Sequence, residues 1–135
     1  MLAIDCNVLV HLLLEGERTD DARALIDMDP DWRSEPFVLI ELSNVLATWI
    51  RTRGLTLDDA LLAFAQAHAV LEGGLQAASH RDALSIAARY RITAYDARYL
   101  AMARDLGVRL VTEDVKLRRA APELTHSLAE ALSGK

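Results

Sequence analysis

Two apolar runs and several stretches of helically spaced apolar residues organise this chain. Leu2–Ile4 is a short apolar run that ends at an acid, and Val108–Thr112 is a second run, rich in β-branched residues. Both patterns are typical of buried strands. Trp32–Glu35 and Leu75–Ala78 are weaker strand candidates, and the segment from Thr125 onwards fits either a strand or a frayed helix.

Helical periodicity fills the segments between these strands. The clearest amphipathic face begins near Pro36, a residue type tolerated in the first turn of a helix, and continues to about Arg53. Asn7 is the expected cap of the first helix. The other predicted helices cover Val8–Leu14, Thr19–Met28, residues 56–73, His80–Tyr90, Tyr95–Leu106 and a short segment that ends at Ala121. Strands that alternate with helices indicate an α/β fold, with a mostly parallel central sheet flanked by helices.

Length and composition narrow the class of protein. A chain of 135 residues with 52% hydrophobic residues predicts a single domain over residues 1–135. Its apolar runs are far shorter than the ~20 residues that span a bilayer, and its first residues lack the basic start of a secretory signal. We therefore expect a cytoplasmic protein that does not enter membranes. The single cysteine, Cys6, excludes an internal disulfide and a cysteine-based zinc site.

Charge is distributed unevenly. The net charge is −5, but residues 1–67 carry 5 basic and 12 acidic side chains, whereas residues 68–135 carry 10 and 8. Thirteen of the fifteen cationic side chains are arginine, whose planar guanidinium suits phosphate groups. A chain with this negative balance is not a general polyanion binder. A polyanionic substrate would have to be bound locally, by an arginine patch or with the help of bound cations.

Four acids occupy positions that suggest a ligand-binding or catalytic role. Asp5 follows the first predicted strand directly, and Asp114 lies just after the Val108–Thr112 strand. Ligand sites of parallel sheets form outside the carboxyl ends of the strands, so these two carboxylates are expected in one crevice. Asp96 lies in the first turn of a helix whose following apolar residues predict a buried face.

Glu41 is the fourth of these acids and the most unusual. It lies on the apolar face of the helix that begins near Pro36, where dehydration of a carboxylate costs several kcal/mol unless it is compensated. No arginine lies one turn away on that helix. Glu41 therefore needs a distant partner or a metal ion. Each acid alone has an ordinary explanation, as a helix-start charge, a loop acid or a boundary residue. Together they indicate an all-oxygen site for a hard ion such as Mg²⁺ or Mn²⁺, which promotes hydrolysis of phosphodiesters.

Four motifs carry a resemblance to a known family. They are DCNVL at 5–9, ELSNVL at 41–46, AYDA at 94–97 and TEDVKL at 112–117. In this order and approximate spacing they resemble the PIN domain, and most closely the VapC-like toxins of toxin–antitoxin systems. The resemblance covers essentially the whole chain, and it implies a three-layer sandwich with a parallel sheet between helices.

The resemblance also implies roles for particular residues. Asp5, Glu41, Asp96 and Asp114 match the acids that hold Mg²⁺ or Mn²⁺ for endoribonuclease chemistry, and Asn7 and Thr112 match polar residues that support them. Lys116 stands where some members of the family carry a further acid, so we expect one tightly held ion, with a second arriving only with substrate. The implied partners are an RNA substrate, a small antitoxin that covers the acidic crevice, and a second copy in a homodimer.

These observations leave two functions open. The first is a metal-dependent endoribonuclease that acts as the toxin of a type II toxin–antitoxin system, with Arg98, Arg118 and Arg119 as contacts to RNA phosphates. The second is a PIN-like module that has lost cleavage and binds RNA or protein. A phosphoacceptor signalling domain fits the α/β pattern less well, since Asp5 has no acidic neighbour after the first strand.

Overall fold

A four-stranded parallel sheet forms the centre of the computed structural model, which describes residues 1–134. The strands are β1 (Leu2–Ile4), β2 (Trp32–Arg33), β3 (Leu110–Val111) and β4 (Thr125–His126), in the spatial order β2-β1-β3-β4. Ala3 pairs with Arg33 on one side and with Leu110 on the other. The predicted α/β fold with a parallel central sheet flanked by helices is therefore confirmed.

Helices occupy most of the remaining chain. Their bounds are α1 (Cys6–Leu13), α2 (Thr19–Met28), α3 (Phe37–Arg53), α4 (Leu57–Val70), α5 (His80–Tyr90), α6 (Ala94–Asp105), α7 (Val115–Ala120) and α8 (Leu128–Leu132), with a 3₁₀ turn at Pro122–Leu124. These bounds follow the predicted helices closely. Within residues 1–134, no helix combines the length and the apolar character needed to cross a bilayer.

Two local predictions are wrong. Asn7 does not cap α1, because Asp5 is in the extended conformation and its carboxylate accepts the Val8 N–H at 3.2 Å, so the helix already begins at Cys6. Leu75–Ala78 is not a strand: only Leu75 pairs, in an isolated bridge to Ser34.

The bridge at Leu75 depends on a close approach of two backbones. The Ser34 N–H donates to the Gly74 carbonyl at 3.0 Å. A Cβ atom at Gly74 would lie 2.3 Å from the Trp32 carbonyl oxygen, so only glycine fits beside β2.

The segment from Thr125 onwards, which was compatible with a strand or a helix, contains both β4 and α8.

The core lies on both sides of the sheet. Ala3 and Ile4 in β1 and Leu110 and Val111 in β3 are almost fully buried, as expected for parallel strands covered on both faces. Helix α6 is buried on nearly every side after its first turn, and its alanines allow close packing. A helix buried in this way is held firmly, so the direction of its first turn is fixed.

The order of the strands defines where a ligand would bind. The chain passes from β1 to β2 on one side and then returns across β1 to β3 on the other. This reversal makes the carboxyl ends of β1 and β3 a topological switch point, where α/β proteins place their ligand sites. Asp5 and Thr112 follow these two strand ends directly.

Candidate active site

Asp5 is the most buried acid at the switch point, with 6% of its surface exposed. Its carboxylate accepts hydrogen bonds from the Val8 N–H and, at 2.5 Å, from the Thr112 hydroxyl. Burial raises the pKa of Asp5 to about 7, although these two hydrogen bonds oppose the rise. The nearby charges of Glu41 and Asp114 raise it further. A charged Asp5 therefore favours a cation beside it.

Thr112 joins the ends of the two central strands. While its hydroxyl donates to Asp5, the same oxygen accepts the Asp114 N–H at 3.1 Å. Asp114 in turn caps α7, because its carboxylate accepts the Leu117 N–H at 3.1 Å. One buried threonine thus fixes the position of Asp5 relative to the loop that carries Asp114.

Glu41 is held by a residue from another helix. The Tyr99 hydroxyl of α6 donates to Glu41 Oε1 at 2.5 Å, which supplies the distant partner that the buried position of Glu41 requires. Partial burial raises the pKa of Glu41, the Tyr99 hydrogen bond opposes that rise, and the charge of Asp96 adds to it. The pKa of Tyr99 is raised by its own burial and by Glu41, so the tyrosine remains a donor.

Asp96 lies at the amino-terminal end of α6. The Thr93 side chain accepts the Asp96 N–H at 3.1 Å and so caps the helix. The Asp96 side chain is half-buried, and burial raises its pKa, with a further rise from the charge of Asp114. The effect of Asp114 indicates that the first turn of α6 lies near the loop after β3.

The four acids lie close enough to one another for their charges to interact. Asp5 is influenced electrostatically by Glu41 and Asp114, and Asp96 acts on Glu41 and is acted on by Asp114, so the four form a connected set. Within residues 1–134, however, no three His, Cys, Asp or Glu side chains are placed to hold one metal ion directly. Mg²⁺ commonly uses one or two carboxylates and retains several waters. The oxygen-only donor set and the mutual repulsion of the acids fit such an ion.

The neighbouring thiol is not suited to metal binding. Cys6 is buried, and burial raises the pKa of its thiol to about 12, with further contributions from Glu41 and Asp5. The thiol therefore stays protonated at neutral pH, whereas metal ligation requires the thiolate.

Of the residues expected to support the acids or to contact RNA, some lie at the site and others do not. Thr112 makes the hydrogen bond to Asp5, whereas Asn7 lies on the exposed side of the first turn of α1. The Arg98 guanidinium contacts Glu35, the Ala78 carbonyl and His80 at 3.2–3.3 Å. It therefore connects α6 to the residues just before α3 and to the start of α5.

The two other candidate arginines lie on α7. Arg118 lies 3.6 Å from Glu113 and is partly buried, so its charge is already matched within the fold. Arg119 is exposed five residues beyond Asp114. Of the three arginines, Arg119 is therefore the one most accessible to an external phosphate.

Sequence reasoning missed two residues of the site's surroundings. Tyr99 was expected only to line a buried face, although a buried tyrosine hydroxyl usually requires a partner, and that signal could have linked it to Glu41. Glu35, only 2% exposed, accepts the Phe37 N–H at 2.8 Å and pairs with Arg98. No local pattern marks Glu35, because its partner lies 63 residues away in the sequence.

Comparisons with known proteins identify the family and the fold. Ribonuclease VapC3 of Pyrobaculum aerophilum is 26% identical over 127 residues, which cover 91% of this chain and 96% of the relative. The crystal structure of PAE2754, also from Pyrobaculum aerophilum, superposes with a TM-score of 0.72 at 19% identity and covers 97% of this chain and 92% of that one. The family model of the PIN domain matches residues 2–122. The chain thus belongs to the PIN domain family.

Proposed function

We propose that this protein is a Mg²⁺- or Mn²⁺-dependent endoribonuclease and acts as the toxin of a type II toxin–antitoxin system. The observation that supports this most strongly is the set of electrostatic interactions that links Asp5, Glu41, Asp96 and Asp114, with Asp5 buried and its pKa raised. An acidic crevice of this kind repels a bare phosphodiester, so substrate binding there needs a cation.

In this proposal the four acids have different roles. Asp5 and Asp114 are the first ligands for the cation, because Thr112 holds both in fixed positions. A bound Mg²⁺ or Mn²⁺ supplies charge neutralisation and lowers the pKa of water. Glu41 and Asp96 are half-buried with raised pKa values, which suits them to accept a proton from the attacking water. Tyr99 keeps Glu41 directed at the crevice.

The test is cleavage of RNA by purified protein. We expect Asp5→Asn and Asp96→Asn to lower cleavage by about 10²-fold or more, and EDTA to abolish it until Mn²⁺ is added back. Asp58→Asn is the matched control, since Asp58 is an exposed acid in the first turn of α4. Cleavage that survives chelation, or that persists in both crevice variants, contradicts the proposal.

A PIN-like binding module without cleavage is the second candidate function. The observation that favours it is that no three acidic, histidine or cysteine side chains among residues 1–134 are placed to hold one ion directly. Calorimetric titration with Mn²⁺ separates the two functions. Heat that disappears in Asp5→Asn supports the nuclease, whereas the absence of heat from the native protein supports the binding module.

The toxin role carries further consequences. It requires a small antitoxin that covers the acidic crevice, and the likeness to VapC-like toxins adds a homodimer and a cytoplasmic location, with the activity contained in one domain over residues 1–135. Arg98, Arg118 and Arg119 lie near Asp96 and Asp114 in sequence, and exposed Arg119 is the foremost candidate for a phosphate contact. Light scattering of the protein with and without the product of the adjacent reading frame tests both assemblies.

A further inference from the structure

An aromatic cleft opens beside the acidic crevice. One face of α3 and the first turn of α6 enclose a space of about 430 Å³, which we call the aromatic cleft and which is lined by Phe37, Ile40, Glu41, Asn44, Val45 and Tyr95. The α3 residues recur at helical spacing, so they project from one side of that helix. Glu41 belongs to both the cleft and the acidic set, and Tyr95 directly precedes Asp96. The cleft is therefore continuous with the candidate active site.

Three aromatic rings form a series that leads into this cleft. The Tyr95 and Phe37 rings are stacked, with centroids 5.0 Å apart and planes 10° apart. Phe37 in turn packs at 6.4 Å against Tyr99, whose hydroxyl binds Glu41. Phe37 thus covers one face of Tyr95 and holds it in place beside the acids. Tyr95 nevertheless remains 63% exposed, so its other face is open to a ligand.

The chemistry of the lining suits a nucleobase. Ile40 is 64% exposed next to Tyr95 and provides a second apolar wall. Stacking of a base on an aromatic side chain is tolerant of sequence and strengthens binding of single strands. The exposed Asn44 amide carries both a donor and an acceptor that can bind the edge of a base. The adjoining carboxylates and their cation would then receive the phosphate of the same nucleotide.

We propose that the aromatic cleft binds one nucleobase of an RNA strand, stacked on Tyr95 and next to the phosphodiester that is cleaved. This inference rests on the proposed nuclease function and adds the element that selects a single-stranded substrate. Tyr95 acts by binding and positioning the nucleotide, while Asn44 reads its edge. Double-stranded RNA does not present an unstacked base and is a poor substrate.

The experiment compares Tyr95→Ala with Tyr95→Phe on a short single-stranded oligoribonucleotide. Tyr95→Ala removes the stacking surface and should lower kcat/KM by about 5- to 150-fold, whereas Tyr95→Phe keeps the ring and should stay within about twofold of the native protein. Leu84→Ala, at an exposed apolar residue of α5 outside the cleft, is the control and should change nothing. Far-UV circular dichroism and thermal melting establish that each variant is folded.

An abasic substrate makes the test specific for stacking. Removal of the base next to the cleaved bond should reduce cleavage by the native protein as much as Tyr95→Ala does, with no further loss when both changes are combined. If Tyr95→Ala instead lowers the cleavage of abasic RNA by the same factor as the cleavage of intact RNA, the two losses are independent, which would show a stacking-independent role and overturn the proposal. If Tyr95→Ala changes the oligomeric state on size-exclusion chromatography but leaves RNA binding unaltered, the cleft is a protein interface and the proposal is overturned as well.

A binding measurement distinguishes failure of the proposed nuclease function from failure of the base-binding cleft. Fluorescence anisotropy of a labelled oligoribonucleotide measures binding without cleavage. If the native protein does not cleave RNA but binds it in a manner that depends on Tyr95 and on the base, the proposed function fails while the base-binding cleft stands. If it cleaves RNA and Tyr95→Ala cleaves equally well, the function stands and the cleft does not bind a base.

Discussion

Single side chains in this protein carry more than one structural duty. Asp5 caps α1, receives the Thr112 hydroxyl and lies among other acids, so it combines a favourable cap with an unfavourable buried charge. Its place after the first strand was readable from the sequence, but its capping role was assigned to Asn7. The hydrogen bond from Tyr99 to Glu41 was not readable, because it joins residues 58 positions apart.

Tyr99→Phe removes one hydroxyl from this site. Glu41 then loses the donor that directs it, so we expect cleavage to fall by about tenfold and the free energy of unfolding to fall by about 1 kcal/mol. Urea unfolding and RNA cleavage measure the two effects. Tyr90→Phe is the matched control, since the Tyr90 hydroxyl donates to Glu123 at 2.6 Å on the surface. Equal loss of cleavage in both variants would contradict the role given to Tyr99.

Asp5→Asn separates stability from activity. At pH 8 the carboxyl is mostly ionised, because that pH lies above its raised pKa of about 7, and the buried charge then destabilises the fold. The neutral amide can still accept the Val8 N–H. In EDTA at pH 8 we expect this variant to unfold at higher temperature, with a gain of about 1–3 kcal/mol, while cleavage is lost. A variant less stable than the native protein under these conditions would contradict the account.

Helices were easier to predict than strands for a physical reason. The seventeen residues of α3 contain several repeats of the helical period, whereas β2, β3 and β4 contain two residues each and show no complete alternation. At Leu75, glycine and backbone approach decide the geometry, and these leave little trace in a hydrophobic pattern. Two helix caps, Thr93 and Thr56, are of a residue type that favours this position.

The cap of α6 links an element to the site. Thr93→Ala removes the acceptor of the Asp96 N–H and should lower the free energy of unfolding by about 1 kcal/mol. Because Asp96 lies in the turn that frays, cleavage should fall as well. Thr56→Ala is the control: it removes a cap of the same kind from α4, where the Asp59 N–H is 3.1 Å from the hydroxyl. Thr56→Ala should therefore reduce stability but leave cleavage unchanged, and the opposite pattern would refute the link.

At the scale of the whole molecule, the proposed divalent ion reconciles a net charge of −5 with the proposed RNA substrate. The strand order brings Asp5 and the loop that carries Asp114 to one edge of the sheet, which could be inferred from the two strand ends and the parallel topology. The positions of Glu41 and Asp96 relative to these strand ends could not be inferred, because they depend on contacts between α3 and α6. We expect a single divalent ion to bind among these four carboxylates, with one or two of them in direct contact with it.

Anomalous diffraction from crystals soaked with Mn²⁺ tests that claim most directly. We expect one strong peak between Asp5, Glu41, Asp96 and Asp114, at about 2.0–2.3 Å from one or two carboxylate oxygens, with the remaining acids bound through water. The peak should be absent from crystals of Asp5→Asn. A native crystal saturated with Mn²⁺ that shows no peak in this crevice, or shows its peak elsewhere, would contradict it.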